Sequence, residues 1–172
     1  EPYFEKGDIL THVFNGRGGD VWNPDGTPSD ALQKLIDRGV WLDVGHGSSS
    51  FDFNVFERAI RHPLPRVLMG TDLHQSSVRK LVRSMPVLLS KLYGCGVSLE
   101  DILYGVTAGP AMALGLTDWC RLSTVRNATL FRIVDHTEAY EDCQGNTRTF
   151  HRAFLTEGVI LNGKYRKAPA QL

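Results

Sequence analysis

The sequence predicts an α/β fold: a short parallel sheet with crossover helices, followed by a small β module. Three observations carry this expectation. Apolar runs around Ile9, Leu42 and Leu68 are short, as suits strands buried on both faces. Segments of helical spacing separate them, giving the order strand, helix, strand, helix, strand. After about Thr117 the helical spacing gives way to strand-like stretches joined by Gly- and Asn-containing turns.

The first strand is expected over Asp8 to Phe14, where Ile9, Leu10, Val13 and Phe14 surround Thr11 and His12. A loop rich in Gly, Asn, Asp and Pro runs from Asn15 to Pro28. Ser29 suits a helix N-cap, Ala31, Leu32, Leu35 and Ile36 share one face, and Gly39 suits the stop. Val40 to Val44 is the second strand, ending in Gly45-His46-Gly47. The next helix has Phe53, Phe56 and Ile60 on one side, Asn54 and Glu57 as a capping box, and Pro63 and Pro65 beyond its end. Arg66 to Thr71 is the third strand, ending in Asp72.

A long helix is then expected from Val78 to Leu92, kinked at Pro86 and stopped at Gly94, its apolar stripe packing on the sheet. Ser98 with Asp101 caps another helix, and Pro110 opens a short one that ends by Gly115. Ala128 to Val134 and Thr147 to Leu155 read as strands, with a turn at Gln144-Gly145-Asn146. Asn162-Gly163 marks a tight hairpin between Val159 to Leu161 and Lys164-Tyr165. The domain boundary falls near residue 117, giving segments 1–117 and 118–172.

Bulk composition narrows the function. A formal net charge of zero over 172 residues, with no basic run interleaved with aromatics, argues against nucleic acid as a partner. No apolar stretch approaches the roughly 20 residues of a membrane span. The first residues lack a signal-peptide layout and an initiator Met, so the expectation is a piece of a longer chain. Cys95, Cys120 and Cys143 are odd in number and widely spaced, which suits a reducing cytoplasm better than a disulfide framework.

Three residues carry the chemical signal. His12, His46 and Asp72 sit at the C-terminal ends of three consecutive predicted strands. In a (β/α) barrel such strand ends share one mouth, so residues distant in sequence converge there. Two imidazoles and a carboxylate suit a divalent metal such as zinc. Asp72 would also act as general base toward a metal-activated water. Taken singly, each residue has a plainer reading: a hydrogen-bonded surface histidine, or a turn or cap at Asp72. Asn15, Arg17 and His74 lie just past the same strand ends and are candidate contacts to a small-molecule substrate. Solvated-loop and capping roles compete for Arg17 and His74. Ser48, Ser49 and Ser50 lack a nucleophile-elbow pattern and read as turn residues.

The same residues lie in longer stretches that resemble a family. Asp8-Ile9-Leu10-Thr11-His12-Val13-Phe14-Asn15-Gly16, then Asp43-Val44-Gly45-His46-Gly47 with Ser50-Phe51, then Gly70-Thr71-Asp72-Leu73-His74 resemble three signatures of the dihydroorotase-like amidohydrolase and deacetylase metallohydrolases, in the family's order. Thr107-Ala108-Gly109-Pro110-Ala111, Leu114-Gly115-Leu116, Thr129-Leu130-Phe131 and Asn162-Gly163 extend the likeness. The resemblance implies the C-terminal part of a (β/α)8 TIM-like barrel, about strands five to eight, followed by a small β-sandwich module. It implies His12, His46 and Asp72 as metal ligands on strands five, six and eight, one or two metal ions, often zinc, and hydrolysis of amide, cyclic amide or ester bonds. The short interval from His46 to Asp72 leaves the seventh strand reduced or unrecognised.

The family's His-x-His pair and its carboxylated lysine have no match here, because the likeness begins just before strand five. Val13 stands where a cysteine is often found, and Ser123 to Asn127 departs from the usual approach to the small domain. The chain alone is therefore expected to be inactive, with two open sheet edges that invite pairing, including pairing into a homo-oligomer. Two rival readings are a non-catalytic amidohydrolase-like binding or assembly subunit, and an independent small α/β binding protein.

Overall fold

A computed structural model describes residues 3–18, 21–65, 67–121, 123 and 126–169. Its first sheet has the order β1 (Ile9–Leu10), β2 (Trp41–Asp43), β3 (Val67–Leu68), all parallel, with Leu10 beside Leu42 and Leu42 beside Val67. The strands are shorter than the apolar runs that mark them, and they stop for a backbone reason. His12 (φ 62°), Gly45 (φ 48°), Gly47 (φ 50°) and Asp72 (φ 47°) all turn left-handed just beyond the ladder. Single bonds continue the pairing into these turns: the N–H of Val44 to Leu68 O, His46 to Gly70 O, and Gly47 to Thr71 O. Arg66, the expected start of the third strand, lies outside the described residues, as do Thr124 and Val125 of the departing segment.

The crossovers are α1 (Asp30–Arg38) and α2 (Phe53–Ala59). In α1 the expected caps are present: Ser29 accepts from Leu32 N, and left-handed Gly39 donates to Leu35 and Ile36 carbonyls. In α2 the cap is Asp52, which accepts from Asn54 N and Val55 N, and not the expected Asn54 and Glu57 box. The chain is still extended at Asp52, so the helix starts one residue before Asn54, and Glu57 instead pairs with Arg148.

The expected long helix over Val78 to Leu92 is shorter. Residues 75–81 are turns, and α3 spans Met85–Gly94 with Ser84 as N-cap and Pro86 in its first turn. Proline lacks an N–H and clashes with a preceding helical turn, so it opens this helix and does not kink it. The capping pair Ser98 and Asp101 starts α4 (Leu99–Val106), and Pro110 sits early in α5 (Ala108–Ala113). A short 3-10 turn at Thr117–Cys120 leads to the second sheet.

That sheet is a meander of β4 (Ala128–Glu141), β5 (Thr147–Leu161) and β6 (Lys164–Lys167), with bulges after Leu130 and Asp135. The turn at Asn162-Gly163 has both residues left-handed, as a two-residue hairpin requires. Helix α3 packs against β5, and Phe154 N donates to Ser90 Oγ. One apolar cluster runs through both parts: Phe14, Leu42, Phe51, Phe53 and Phe56 near the parallel sheet, Leu88, Leu89 and Leu92 of α3, then Tyr140 and Phe154. Among the described residues, no helix is long and apolar enough to cross a membrane.

Phe51 is fully buried, and its ring touches His46, Phe53 and Phe56. Phe51→Ala is expected to lower unfolding free energy by about 3–5 kcal/mol, read by urea denaturation. A loss below about 1 kcal/mol would mean that this cluster is not the core.

Candidate metal centre

The middle strand braces the site. Asp43 accepts from Thr11 Oγ1 at 2.6 Å and from Gly70 N at 2.7 Å, tying the ends of β1 and β3 to β2 through one carboxylate. The sequence reading gave Asp43 no role of its own. The available signal was a carboxylate inside an otherwise apolar run, Trp41 to Val44.

Across this brace His12 and Asp72 face each other, with His12 Nε2 at 4.0 Å from Asp72 Oδ2 and both side chains partly exposed. Nδ1 of His12 lies against Gly45 O. A carbonyl only accepts, so Nδ1 donates to it, and Nε2 is the ring nitrogen on the side of Asp72. Both residues hold positive φ, which costs a non-glycine residue on the order of 1 kcal/mol or more and is tolerated where surroundings enforce it. The glycines flanking His46 make the approach possible. A Cβ on Gly45 would lie 2.2 Å from Thr11 Oγ1 and 2.6 Å from His12 Nδ1, and one on Gly47 would lie 2.7 Å from Asp72 Oδ2.

His46 does not join them in this arrangement. It is 1% exposed, stacked on Phe51 at 4.8 Å, with Nδ1 donating to Gly47 O at 2.8 Å. Its Nε2 accepts from Lys91 Nζ at 2.9 Å. Lys91, to which the sequence pattern gives no role, is 1% exposed and also donates to Leu81 O and Glu141 O. Burial pushes His46 down to about 3, with the Lys91 charge adding to the effect. Burial likewise pushes Lys91 down to about 8. Among the described residues no three His, Cys, Asp or Glu side chains are grouped to hold a metal ion. As donors, His12 and Asp72 suit a divalent ion, whereas the ligating nitrogen of His46 is already spent on Lys91.

The other candidates divide. Asn15 shapes its own loop, donating to His12 O and accepting from Arg17 N. Arg17 is exposed and lines a cleft of about 190 Å³ with Asn15, Trp22 and Arg58. His74 pairs with Ser76 Oγ, and its N–H donates to Ser77 Oγ within the same turn. His62 contacts Asp25 O, His151 contacts Thr137, and His136 lies beside Glu138, all away from the strand ends.

The β4–β5 turn anchors the loop that follows His46. Asp142 accepts from Phe53 N, Gln144 N, Asn146 N and Asn146 Nδ2, and Cys143 N donates to Phe51 O. Burial alone would raise the Asp142 carboxyl, but these hydrogen bonds outweigh it and hold it below the ordinary aspartate range. Arg148 adds a two-nitrogen contact to Glu57 and a bond to Asn54.

This geometry belongs to an α/β protein with polar residues gathered at the ends of a parallel sheet. A deacetylase of Brucella anthropi is 33% identical over 160 residues, which is 92% of this chain and 40% of that protein. Among solved structures, an adenine deaminase superposes with a TM-score of 0.88 at 27% identity, over 97% of this chain and 46% of that one. A dihydroorotase superposes with a TM-score of 0.81 at 29% identity, over 97% and 44%. No family model matches the sequence. The chain belongs to the amidohydrolase-like family. It spans less than half the length of these relatives.

The His46 shift fixes a sign for acid sensitivity. Between pH 6.5 and about 3 the unfolded chain takes up a proton that folded His46 refuses. This group's stabilisation is therefore complete above pH 6.5 and is lost as pH falls toward 3. The slope is at most about 1.4 kcal/mol per pH unit. Urea midpoints should fall on acidification through this window, and less steeply in His46→Gln. Equal slopes in the two chains would refute the assignment.

Proposed function

We propose that the chain forms the part of a (β/α)8 barrel containing about strands five to eight, residues 1–117, followed by a β-sandwich module, residues 118–172. In this reading the whole protein is a metal-dependent hydrolase of amide, cyclic amide or ester bonds. The observation that carries the reading is the pair His12 Nε2 and Asp72 Oδ2, facing each other at 4.0 Å across glycines that leave them room. The relatives named deacetylase, adenine deaminase and dihydroorotase support it at the level of the family.

His12 and Asp72 would hold a divalent ion, in this proposal zinc, and His46 would complete the set from this chain. When bound, such an ion lowers the pKa of a bound water and polarises a substrate carbonyl. Asp72 accepts a proton on its carboxylate and returns it to the leaving group. Arg17, exposed beside the cleft, binds substrate, while Asn15 contributes by fixing the loop and His74 by shaping the turn after Asp72. The remaining ligands, a His-x-His pair and a lysine, lie outside these 172 residues in this reading. The free thiols of Cys95 and Cys143 suit a cytoplasmic, reducing location.

The hold of Lys91 on His46 favours one second reading, a barrel that keeps ligand residues but serves in binding or assembly. One experiment separates the two. In the full-length protein, Asp72→Asn is expected to lower kcat/KM for its amide or ester substrate by about 100- to 10,000-fold with the fold intact. Unchanged turnover would remove Asp72 from the chemistry. A full-length protein that turns over no amide or ester substrate would favour the binding subunit.

A further inference from the structure

Arg58 is a charged side chain with an orphaned atom. Its Nε is buried and has no hydrogen-bond partner among the described residues. A guanidinium keeps its charge in proteins, so this N–H cannot be relieved by losing its proton. Leaving such a donor unpaired costs more than leaving a neutral one. The loop between β1 and α1 covers the start of the side chain, where a Cβ added to Gly26 would lie 3.0 Å from Arg58 Cβ.

The surroundings of this side chain form a cleft. Arg58 and Val55 lie three residues apart on α2 and line the same space of about 190 Å³. The loop after β1 lines it too, through Asn15, Arg17 and Trp22. That loop is held in place: Trp22 Nε1 donates to Val13 O at 2.7 Å, and Asn15 Nδ2 donates to His12 O at 2.8 Å. Arg17 brings a second guanidinium to the cleft. Neither arginine side chain has a hydrogen bond or an ion pair among the described residues. No carboxylate lines the cleft among the described residues. Asp52 sits against Gly16 but is not part of the lining, and its Oδ1 is spent on capping α2.

Two like charges therefore share a small space with no internal counter-charge. An oxygen acid would answer both, since it accepts from two guanidinium groups and cancels their repulsion. We propose that Arg17 and Arg58 bind an oxyanion, a carboxylate or a phosphate group, in this cleft. Arg58 offers its Nε–H from a half-buried position fixed by the helix, and Arg17 supplies a second donor set from the loop. The cleft adjoins the candidate metal-holding strand end, because Asn15 both lines it and donates to His12 O. Within the hydrolase reading above, the oxyanion is a carboxylate of the substrate, away from the bond that is cut. That identification alone rests on the hydrolase reading; free phosphate is the other source.

The test is calorimetric titration of inorganic phosphate into the full-length protein, into its Arg58→Met and Arg17→Gln variants, and into Arg61→Met. Arg61 is exposed just past α2 and does not line the cleft, so it controls for loss of charge alone. Arg58→Met and Arg17→Gln are each expected to weaken phosphate binding about 10- to 100-fold. Arg61→Met is expected to stay within about threefold, since an exposed charge is screened. If circular dichroism shows that Arg58→Met does not fold, Arg17→Gln, which alters an exposed loop side chain, decides alone.

Kinetics then separate the two sources. With a carboxylate-bearing amide or ester, Arg58→Met or Arg17→Gln should raise KM about 10-fold or more and leave kcat within about threefold. The neutral analogue of the same substrate should be unaffected. Arginine-dependent phosphate binding with KM unmoved for the charged substrate supports the site and assigns it to free phosphate. Arginine-dependent phosphate binding in a protein that turns over no amide or ester supports the site while the hydrolase reading falls. No phosphate binding by the unaltered protein, or equal binding by all four proteins, overturns the site and leaves the hydrolase reading to Asp72→Asn.

Discussion

The carboxylate of Asp43 holds the site together. It sits on the middle strand and takes one hydrogen bond from each neighbour, Thr11 Oγ1 beyond β1 and Gly70 N beyond β3. Two-residue outer strands have few ladder bonds of their own, and hydrogen bonds to a charged group are worth roughly twice neutral ones. The residues that follow, His12 and Asp72, are in left-handed conformations that their own side chains disfavour. Their relative position therefore depends on the three strand ends staying in register. Gly70 shows how close the fit is, since a Cβ there would lie 2.8 Å from Asp43 Oδ2.

From this brace the polar residues divide between two environments. His12 and Asp72 stay partly exposed, their side chains facing each other at 4.0 Å. His46, between them in sequence order, turns inward against Phe51 and Lys91. Its loop is held from the far side by the β4–β5 turn, through Asp142 to Phe53 N and Cys143 N to Phe51 O. The second sheet is thus continuous with the core that supports the strand ends. A shift of β4 against α3 would be felt at His46 through Lys91 and Glu141 O.

Much of the fold was legible because it follows local rules. Ser29, Gly39, Ser98 with Asp101, and Asn162-Gly163 act at the positions their chemistry indicates. The errors were also local. The apolar spacing suggests a long helix kinked at Pro86, but the missing N–H and the ring make it a first-turn residue, and α3 begins at Met85. Asn54 and Glu57 suggest a capping box, but the extended backbone at Asp52 puts the cap earlier. In the site, the facing of His12 and Asp72 could be read from their equivalent places after successive apolar runs. The partner of His46 could not, because the contact spans 45 residues and a lysine in an apolar helix reads as surface. Nothing local marks Lys91 as buried.

The most direct test of the account is to locate the ion itself. Crystals of the full-length protein soaked in zinc, measured for anomalous scattering at the zinc edge, should show a peak within bonding distance of both His12 Nε2 and an Asp72 carboxylate oxygen. A peak confined to other groups, such as Cys143 or His74, with His12 and Asp72 unliganded, would contradict it.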